Sequence, residues 1–368
     1  MTSTTTAPPN APSGRIEWVD YAKGLCIVMV VAMHSTLGIE ARLDPAGANG
    51  TGTAYTGFMG WIVAFAAPFR MPDFFLVAGL FLSRTIGRDW RVYADRKVLH
   101  FAYFYLLWLA IQFAFKGVPV ALSEGPVAAV TMFLTALVEP FGTLWFIYML
   151  PIFFVVTKLA REWGLPHAFM LGLGAALQIA PIHTGALLVD EFASRFVYFY
   201  AGYALAPYIF RLADWFVRNR LMGLVVLTVW AVVNGVLVAM GLAGLPFIAL
   251  ALGAAGAVAV VAFGVLLSGA PIMDWLRWLG SHSIVVYLAF FLPMIVTREV
   301  LMRLPDMIGF APADPAIWAF LTTVAAVAGP CILYGLVRWT GWGAFLFERP
   351  AWARLSDDPK VPARAALN

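Results

Sequence analysis

Two ionisable residues of one apolar segment, Lys23 and His34, have a spacing that would let them act together. In a helix their side chains differ by only about 20° around the axis and lie about 16 Å apart along it. Asp20 precedes Lys23 by one turn and lies near the same face. An imidazole can gain or lose a proton near pH 7, so the pair would form a polar stripe that runs from one end of the helix to its middle. The alternative is a packing histidine and a lysine that reaches for the interface.

Arg70 lies between Pro68 and Pro72, and Asp73 follows directly. Two prolines so close together break a helix and release backbone carbonyls, which a membrane tolerates only inside the protein or along a cavity. A guanidinium at such a place either pairs with Asp73 or binds an anionic ligand such as a phosphate or carboxylate. We treat Arg70 as a candidate site residue and keep the structural pairing as the alternative.

A basic run follows this segment and contains Arg84, Arg88, Arg91, Arg96 and Lys97. Basic residues beside a membrane helix set its orientation and attract anionic lipids. The functional alternative is a binding site for a polyanionic cytoplasmic donor, such as a nucleotide-bearing acyl carrier. The sequence contains no metal-ligand cluster and no nucleotide fingerprint, so we predict no metal and no permanently bound cofactor.

The elements that must position these residues are membrane helices. Hydrophobic residues make up 62% of the 368 and charged residues 12%, whereas soluble domains carry about 25% charged residues. The net charge of +4 comes from short loops and is explained by topology, so nucleic acid is not an expected partner but membrane lipids are. The two cysteines lie in apolar segments and predict no disulfide.

The predicted fold is an all-α transmembrane bundle of about ten helices, since each crossing needs about 20 apolar residues. The shorter stretch 126–138 is a re-entrant or interfacial piece or an eleventh span. The loops on the side of the N-terminus hold more Lys and Arg, which predicts that both termini are cytoplasmic. We divide the chain into a disordered tail 1–14, a membrane domain 15–345 and a cytoplasmic tail 346–368. The predicted spans are 24–41, 57–83, 98–116, 143–159, 166–182, 195–210, 221–241, 245–267, 282–302 and 316–338.

Five segments, in this order, resemble the membrane-bound acyltransferase-3 family, which includes O-acetyltransferases of surface polysaccharides. Residues 15–35 (RIEWVDYAKGLCIVMVVAMHS) resemble its opening, in which ten residues separate a basic residue from a histidine. Residues 69–84 (FRMPDFFLVAGLFLSR) resemble its MPxFFxxSG helix, and residues 143–150 (TLWFIYML) its LWFL segment. The last two segments are 195–207 (RFVYFYAGYALAP) and 279–288 (LGSHSIVVYL). The chain departs from the family pattern at Ala78, usually serine, and at Phe290, usually histidine.

The resemblance implies acyl transfer, most often of acetyl, from cytoplasmic acyl-CoA to a hydroxyl of a carbohydrate or glycolipid. His34 would be the general base or a transient acyl carrier, and Asp20 would tune the cytoplasmic mouth. Arg70 would stabilise the thioester oxygen or hold the pantetheine end of the donor. Lys23, Arg84, Arg88, Arg96 and Lys97 would bind the donor. The expected substrate contacts are Trp145, Tyr148, Ser283 and Tyr287.

Two other functions fit the same residues. A transporter or flippase of a glycan or lipid intermediate would use the broken second helix and Arg70 as its substrate site. A non-catalytic member of the family, acting as a scaffold or sensor, would account for Ala78 and Phe290.

Overall fold

The computed structural model describes residues 16–43, 57–140, 142–309 and 314–355. These ranges contain helices, turns and short connections but no β-strand, which confirms the all-α class. The helices in these ranges are α1 (Glu17–Leu43), α2 (Gly57–Ala66), α3 (Arg70–Leu80), α4 (Trp90–Ala94), α5 (His100–Ser123), α6 (Pro126–Ala136), α7 (Trp145–Glu162), α8 (His167–Ile179), α9 (Leu187–Ala204), α10 (Ala206–Arg218), α11 (Arg220–Ala239), α12 (Pro246–Leu267), α13 (Asp274–Ser281), α14 (Ser283–Ala289), α15 (Phe291–Ile308) and α16 (Ala316–Thr340).

The described helices include six that are long and apolar enough to cross a membrane, and eight if each of two bent pairs forms one span. The predicted count of ten needs α8 and α9 as well. However, α8 has only 13 residues, and α9 carries Asp190, Glu191 and Arg195. Leu221, Val229 and Val232 of α11 are more than half exposed, as expected of a helix that faces lipid. The protein is therefore a multi-pass membrane protein, and ten spans and cytoplasmic termini stay predictions.

Two helix pairs bend sharply at a short break, as in a broken span or a re-entrant loop. The predicted break of the second span is confirmed, since α2 and the segment 70–84 meet at 46° beside Pro68. A second break was not predicted: α14 and α15 meet at 51° at Phe290. No proline occupies the junction itself, although Pro293 follows within the first turn of α15. The sequence signal for this break is therefore weak.

Several helix boundaries differ from the prediction. The predicted span 195–210 crosses a helix end, because α9 covers 187–204 and α10 begins at Ala206. The segment 274–281 forms a separate short helix, α13, which was not predicted. The stretch 126–138 forms α6, which has 11 residues. That length is too short for a crossing and favours the re-entrant or interfacial interpretation.

Glycines allow α3 and α9 to pack backbone against backbone. A Cβ atom at Gly79 would lie 2.2 Å from the carbonyl oxygen of Phe199, and one at Gly202 would lie 2.0 Å from that of Leu76. Such distances leave no room for a side chain. This contact fixes the position of α3, which begins at Arg70.

Gly202→Ala should therefore destabilise the bundle, because the two backbones must separate to admit the methyl group. Overpacking of this kind costs about 1–3 kcal/mol, and thermal unfolding in detergent measures the loss. Gly172→Ala in α8 is the matched control, since a Cβ atom there meets no other atom within 4 Å. Equal unfolding midpoints for Gly202→Ala and wild type would contradict the close packing.

The segment after α16 docks on the connection between α4 and α5. Arg349 and Asp95 form a buried ion pair at 2.7 Å, and the amide of Leu355 donates to the same carboxylate at 2.9 Å. The indole of Trp108 donates to the carbonyl of Leu346 at 3.0 Å. The described part of the predicted tail, 346–355, is thus attached to α5 and to the turn of π-helix at 95–99.

Candidate functional site

The helix α1 carries both residues of the predicted stripe, each beside a different cavity. We call the end of the bundle where α1 begins the proximal face and the end where α1 finishes the distal face. Lys23, near the proximal face, lines a cavity of about 140 Å³, the Lys23 cavity. His34, nearer the distal face, lines a cavity of about 170 Å³, the His34 cavity. The two side chains thus face cavities that adjoin each other.

The His34 cavity brings together residues from five helices and one short connection. Its walls include His34 of α1, Arg70 of α3, Trp145 of α7 and Tyr287 of α14, all of which the sequence had indicated. The remaining lining residues are Val30, Met33, Met71, Phe74, Thr143, Phe146, Glu191 and Arg195. An imidazole, two guanidinium groups, a carboxylate and several aromatic rings therefore surround one small space.

Arg70 is the first residue of α3 and is 8% exposed. Its Nη1 atom lies 3.5 Å from the carbonyl oxygen of Val63, one of the last residues of α2. Both carboxylate oxygens of Asp73 are buried and make no hydrogen bond to a described residue. The structure therefore does not show Asp73 as the partner of Arg70. It places the guanidinium at the break between α2 and α3, where it lines the His34 cavity.

Phe290, which stands where the family usually has a histidine, lies directly beside His34. The two rings are 5.5 Å apart between centroids, and Phe290 is fully buried. A second imidazole at this position would adjoin the first, so the departure removes a neighbouring polar group from His34. His34 itself keeps its place on the cavity wall.

Three aromatic residues separate the His34 cavity from the Lys23 cavity, and each of them lines both. The rings of Phe74 and Phe146 stack at 4.5 Å, and Phe146 meets Tyr287 edge to face at 5.5 Å. We call Phe74, Phe146 and Tyr287 the aromatic partition. A group that passes between the cavities must cross or displace it.

Thr143 holds the distal side of the partition in position, and the sequence analysis had not singled it out. The hydroxyl of Tyr287 donates to the carbonyl of Thr143, and the buried amide of Gln112 donates to its Oγ1 at 3.2 Å. These contacts link α5, the turn 142–144 and α14 beside the His34 cavity. The only sequence signal for Thr143 was its place at the start of the segment 143–150.

Glu191 and Arg195 form a second missed element of the site. The Nε atom of Arg195 donates to Glu191 Oε2 at 3.1 Å, one turn apart on α9. Both side chains line the His34 cavity. Arg195 is the first residue of a predicted span, and Glu191 lies outside that span, although a Glu and an Arg four residues apart have the usual spacing of a helical ion pair.

The Lys23 cavity is mostly apolar. Its polar side chains are Lys23, Ser283 and the shared Tyr287, and the departure Ala78 also lines it. The ammonium group of Lys23 lies 3.8 Å from the carboxylate of Asp20. Asp20 is 4% exposed and lines neither of the two cavities. Its predicted role would therefore act through Lys23.

The other predicted donor residues lie outside both cavities. Arg84 is exposed over the ring of Phe81 at 5.3 Å, and Lys97 lies over Phe154 at 4.6 Å. Arg88 and Arg96 belong to the same stretch of chain, between α3 and α5. The sequence missed the buried Lys158, which donates to the carbonyls of Ile86 and Arg88 at 3.0 and 2.9 Å. It fixes the loop that carries these charges.

Of the expected substrate contacts Trp145 and Tyr148, Trp145 lines the His34 cavity, whereas Tyr148 lines neither the His34 cavity nor the Lys23 cavity. Tyr148 packs edge to face on Tyr105 at 4.9 Å and donates to the carbonyl of Leu137 at 3.3 Å. The hydroxyl of Tyr148 therefore lies beside the C-terminal end of α6. A substrate contact for Tyr148 stays a prediction without geometric support.

The chain was also compared with known proteins. The sequence profile of the acyltransferase domain known as the acyltransferase-3 family matches residues 16–335. Inner membrane protein YcfT of Escherichia coli (strain K12) is 26% identical over 179 residues, which are 45% of this chain and 49% of that protein. The chain thus spans about half the length of the curated relative that it matches. No solved structure matches it. The profile match covers all of the elements that build the two cavities, and the chain belongs to the acyltransferase-3 family.

Proposed function

We propose that the protein is an acyltransferase of the bacterial inner membrane that moves an acyl group from cytoplasmic acyl-CoA to a hydroxyl of a carbohydrate or glycolipid. The observation that carries the proposal is that His34 and Arg70 line one cavity, separated only by the aromatic partition from a second cavity lined by Lys23. Ten spans and cytoplasmic termini would place Lys23 on the donor side.

In the proposed reaction the imidazole of His34 accepts the proton of the acceptor hydroxyl. The acceptor oxygen bonds to the thioester carbonyl carbon, and the carbon–sulfur bond then breaks. CoA leaves as its thiol after it receives the proton from His34. The guanidinium of Arg70 stabilises the negative charge that develops on the carbonyl oxygen. Transient acylation of His34 itself is the other route that an imidazole offers.

The acyl transfer and the identity of the acceptor have separate tests. Membranes that contain the protein should transfer label from acetyl-CoA to envelope glycans or glycolipids, and membranes without it should not. The envelope of cells that lack the protein should also lose the mass increment of one acyl group on one species. That increment identifies both the acyl group and the acceptor. No labelled product with acyl-CoA of any chain length would contradict the proposal.

The aromatic partition provides a further prediction for the same reaction. Phe146→Ala should join the two cavities and admit water to the thioester, so that acyl-CoA hydrolysis rises relative to transfer. Free thiol released from CoA, compared with labelled product, measures the ratio. Phe153→Ala is the control, because Phe153 is as deeply buried on the same helix but lines neither cavity. The same ratio in both variants would contradict a separating role.

A transporter or flippase is the second candidate, and one observation favours it. Both bent helix pairs break next to the His34 cavity, at Arg70 in one case and at Phe290 in the other. Broken helices that meet at mid-bundle are typical of transporter substrate sites. In that case substrate should cross reconstituted vesicles without acyl-CoA, and no acyl transfer should occur.

A further inference from the structure

A third cavity lies toward the distal side, next to the His34 cavity. It has a volume of about 350 Å³ and lies between the α2–α3 break, α8, α9 and the connection from α11 to α12. Small-molecule sites usually measure about 300–1,000 Å³, so this distal cavity has room for a sugar ring, whereas the His34 cavity is half that size. Small residues create the space, among them Ala64, Gly241 and Ala243.

Arg195 belongs to the walls of both the distal cavity and the His34 cavity. Its Nε atom is the one that donates to Glu191, and Glu191 lines the His34 cavity. A ligand in the distal cavity that contacts Arg195 is therefore one side chain away from the space that His34 lines. The two cavities together can hold a ring and, beyond it, a single reacting group.

The polar groups of the distal cavity suit a ligand that both donates and accepts hydrogen bonds. The Oε1 atom of Gln178 is buried and accepts no hydrogen bond from a described residue. Tyr198 donates a long hydrogen bond of 3.4 Å to the carbonyl of Ala249. A buried acceptor without a donor is unfavourable, and a ligand hydroxyl would satisfy it.

The charge of the cavity indicates a neutral ligand. Among the described residues that line it, Arg195 alone is charged, and Glu191 balances that charge at 3.1 Å. An anion bound here would have to compete with Glu191 for the guanidinium. A hydroxyl-rich neutral ring has no such competition and can use Gln178, Tyr198 and Arg195 together.

We infer that the distal cavity is the acceptor subsite and binds a neutral sugar ring, held by Gln178 and Arg195, whose reacting hydroxyl extends into the His34 cavity. This inference rests on the proposed function, since it names the place and chemistry of the acceptor.

The first test removes the amide of Gln178, whose Oε1 atom accepts no hydrogen bond from a described residue. Gln178→Leu, in purified protein supplied with acetyl-CoA and a total envelope glycan and glycolipid extract, should need about tenfold more extract for half-maximal transfer, as expected for one lost hydrogen bond to a ligand. The maximal rate should be unchanged. Gln178→Glu keeps an acceptor oxygen at that position and should restore part of the affinity. A lower maximal rate with an unchanged extract requirement would overturn the inference.

The second test fills the cavity. Ala243→Cys, in a Cys331→Ser background, is labelled with a bulky membrane-impermeant maleimide, and Ser123→Cys, exposed at the end of α5, is the labelling control. Label at position 243 should abolish transfer to the extract while CoA release by hydrolysis continues, and label at 123 should change neither. Full transfer by the protein labelled at 243 would overturn the acceptor subsite but would leave the proposed function intact. Absence of transfer by the unlabelled wild type would overturn the proposed function as well.

Discussion

His34→Ala should lower acyl transfer from labelled acetyl-CoA by about 10²–10⁴-fold, the usual contribution of a positioned acid or base. The physical reason is that no other imidazole lines the His34 cavity among the described residues, and Phe290 occupies the place where a second one would stand. His34→Gln, which keeps a polar side chain of similar length, should show the same loss. Initial rates in isolated membranes measure the effect.

The control for this variant is His183→Ala, because His183 is exposed in the connection between α8 and α9. It should transfer acyl groups at the wild-type rate. Mass spectrometry of the intact protein after a brief reaction separates the two proposed routes, since a carrier histidine gains the acyl mass and a general base does not. Equal transfer by wild type and His34→Ala would remove His34 from the chemistry.

Arg70→Gln should lower kcat by about 10²–10³-fold, the loss seen when one oxyanion-stabilising donor is removed from an active site. The guanidinium is fixed at a helix break and nearly excluded from solvent, so its interaction with a developing charge is only weakly screened. Arg70→Lys keeps the charge but loses the planar arrangement of donors. Its kcat should therefore lie between that of wild type and that of Arg70→Gln. Rates at saturating donor and acceptor measure the change.

Arg298→Gln is the matched control. Arg298 is a partly buried guanidinium on α15 that pairs with Glu299 at 3.0 Å and lines neither the Lys23 cavity nor the His34 cavity. Its kcat should stay near that of wild type. If Arg70→Gln raised only the donor concentration needed for half-maximal rate, Arg70 would bind the pantetheine end and the oxyanion role would be wrong.

The sequence predicted the features that depend on local patterns. Helical phase placed Lys23 and His34 on one side of α1, and Pro68 and Pro72 marked the break beside Arg70. The all-α class follows from long apolar runs. Trp145 and Tyr287 were expected to contact substrate because of the resemblance to the family, and not because of their spacing.

Features that depend on contacts between distant segments could not be predicted in this way. The break at Phe290 has no proline at its junction. It depends on the packing of α14 and α15 against the helix that carries His34. The predicted span began at Arg195, whereas α9 begins eight residues before it and places Arg195 one turn after Glu191. Thr143 gains its importance from a backbone carbonyl, which every residue has. The Asp95–Arg349 pair joins residues that no local pattern connects.

That last pair has a consequence for how the protein is made. Asp95 lies at the start of the stretch that leads into α5, whereas Arg349 follows all of the described helices, 254 positions later. Insertion into the membrane proceeds from the first helix onward, so this ion pair can form only after α16 has been synthesised. A ribosome that stops before codon 349 should release a product that is inserted but lacks this contact. The stretch 95–99 that leads into α5 would thus reach its final arrangement late in biosynthesis.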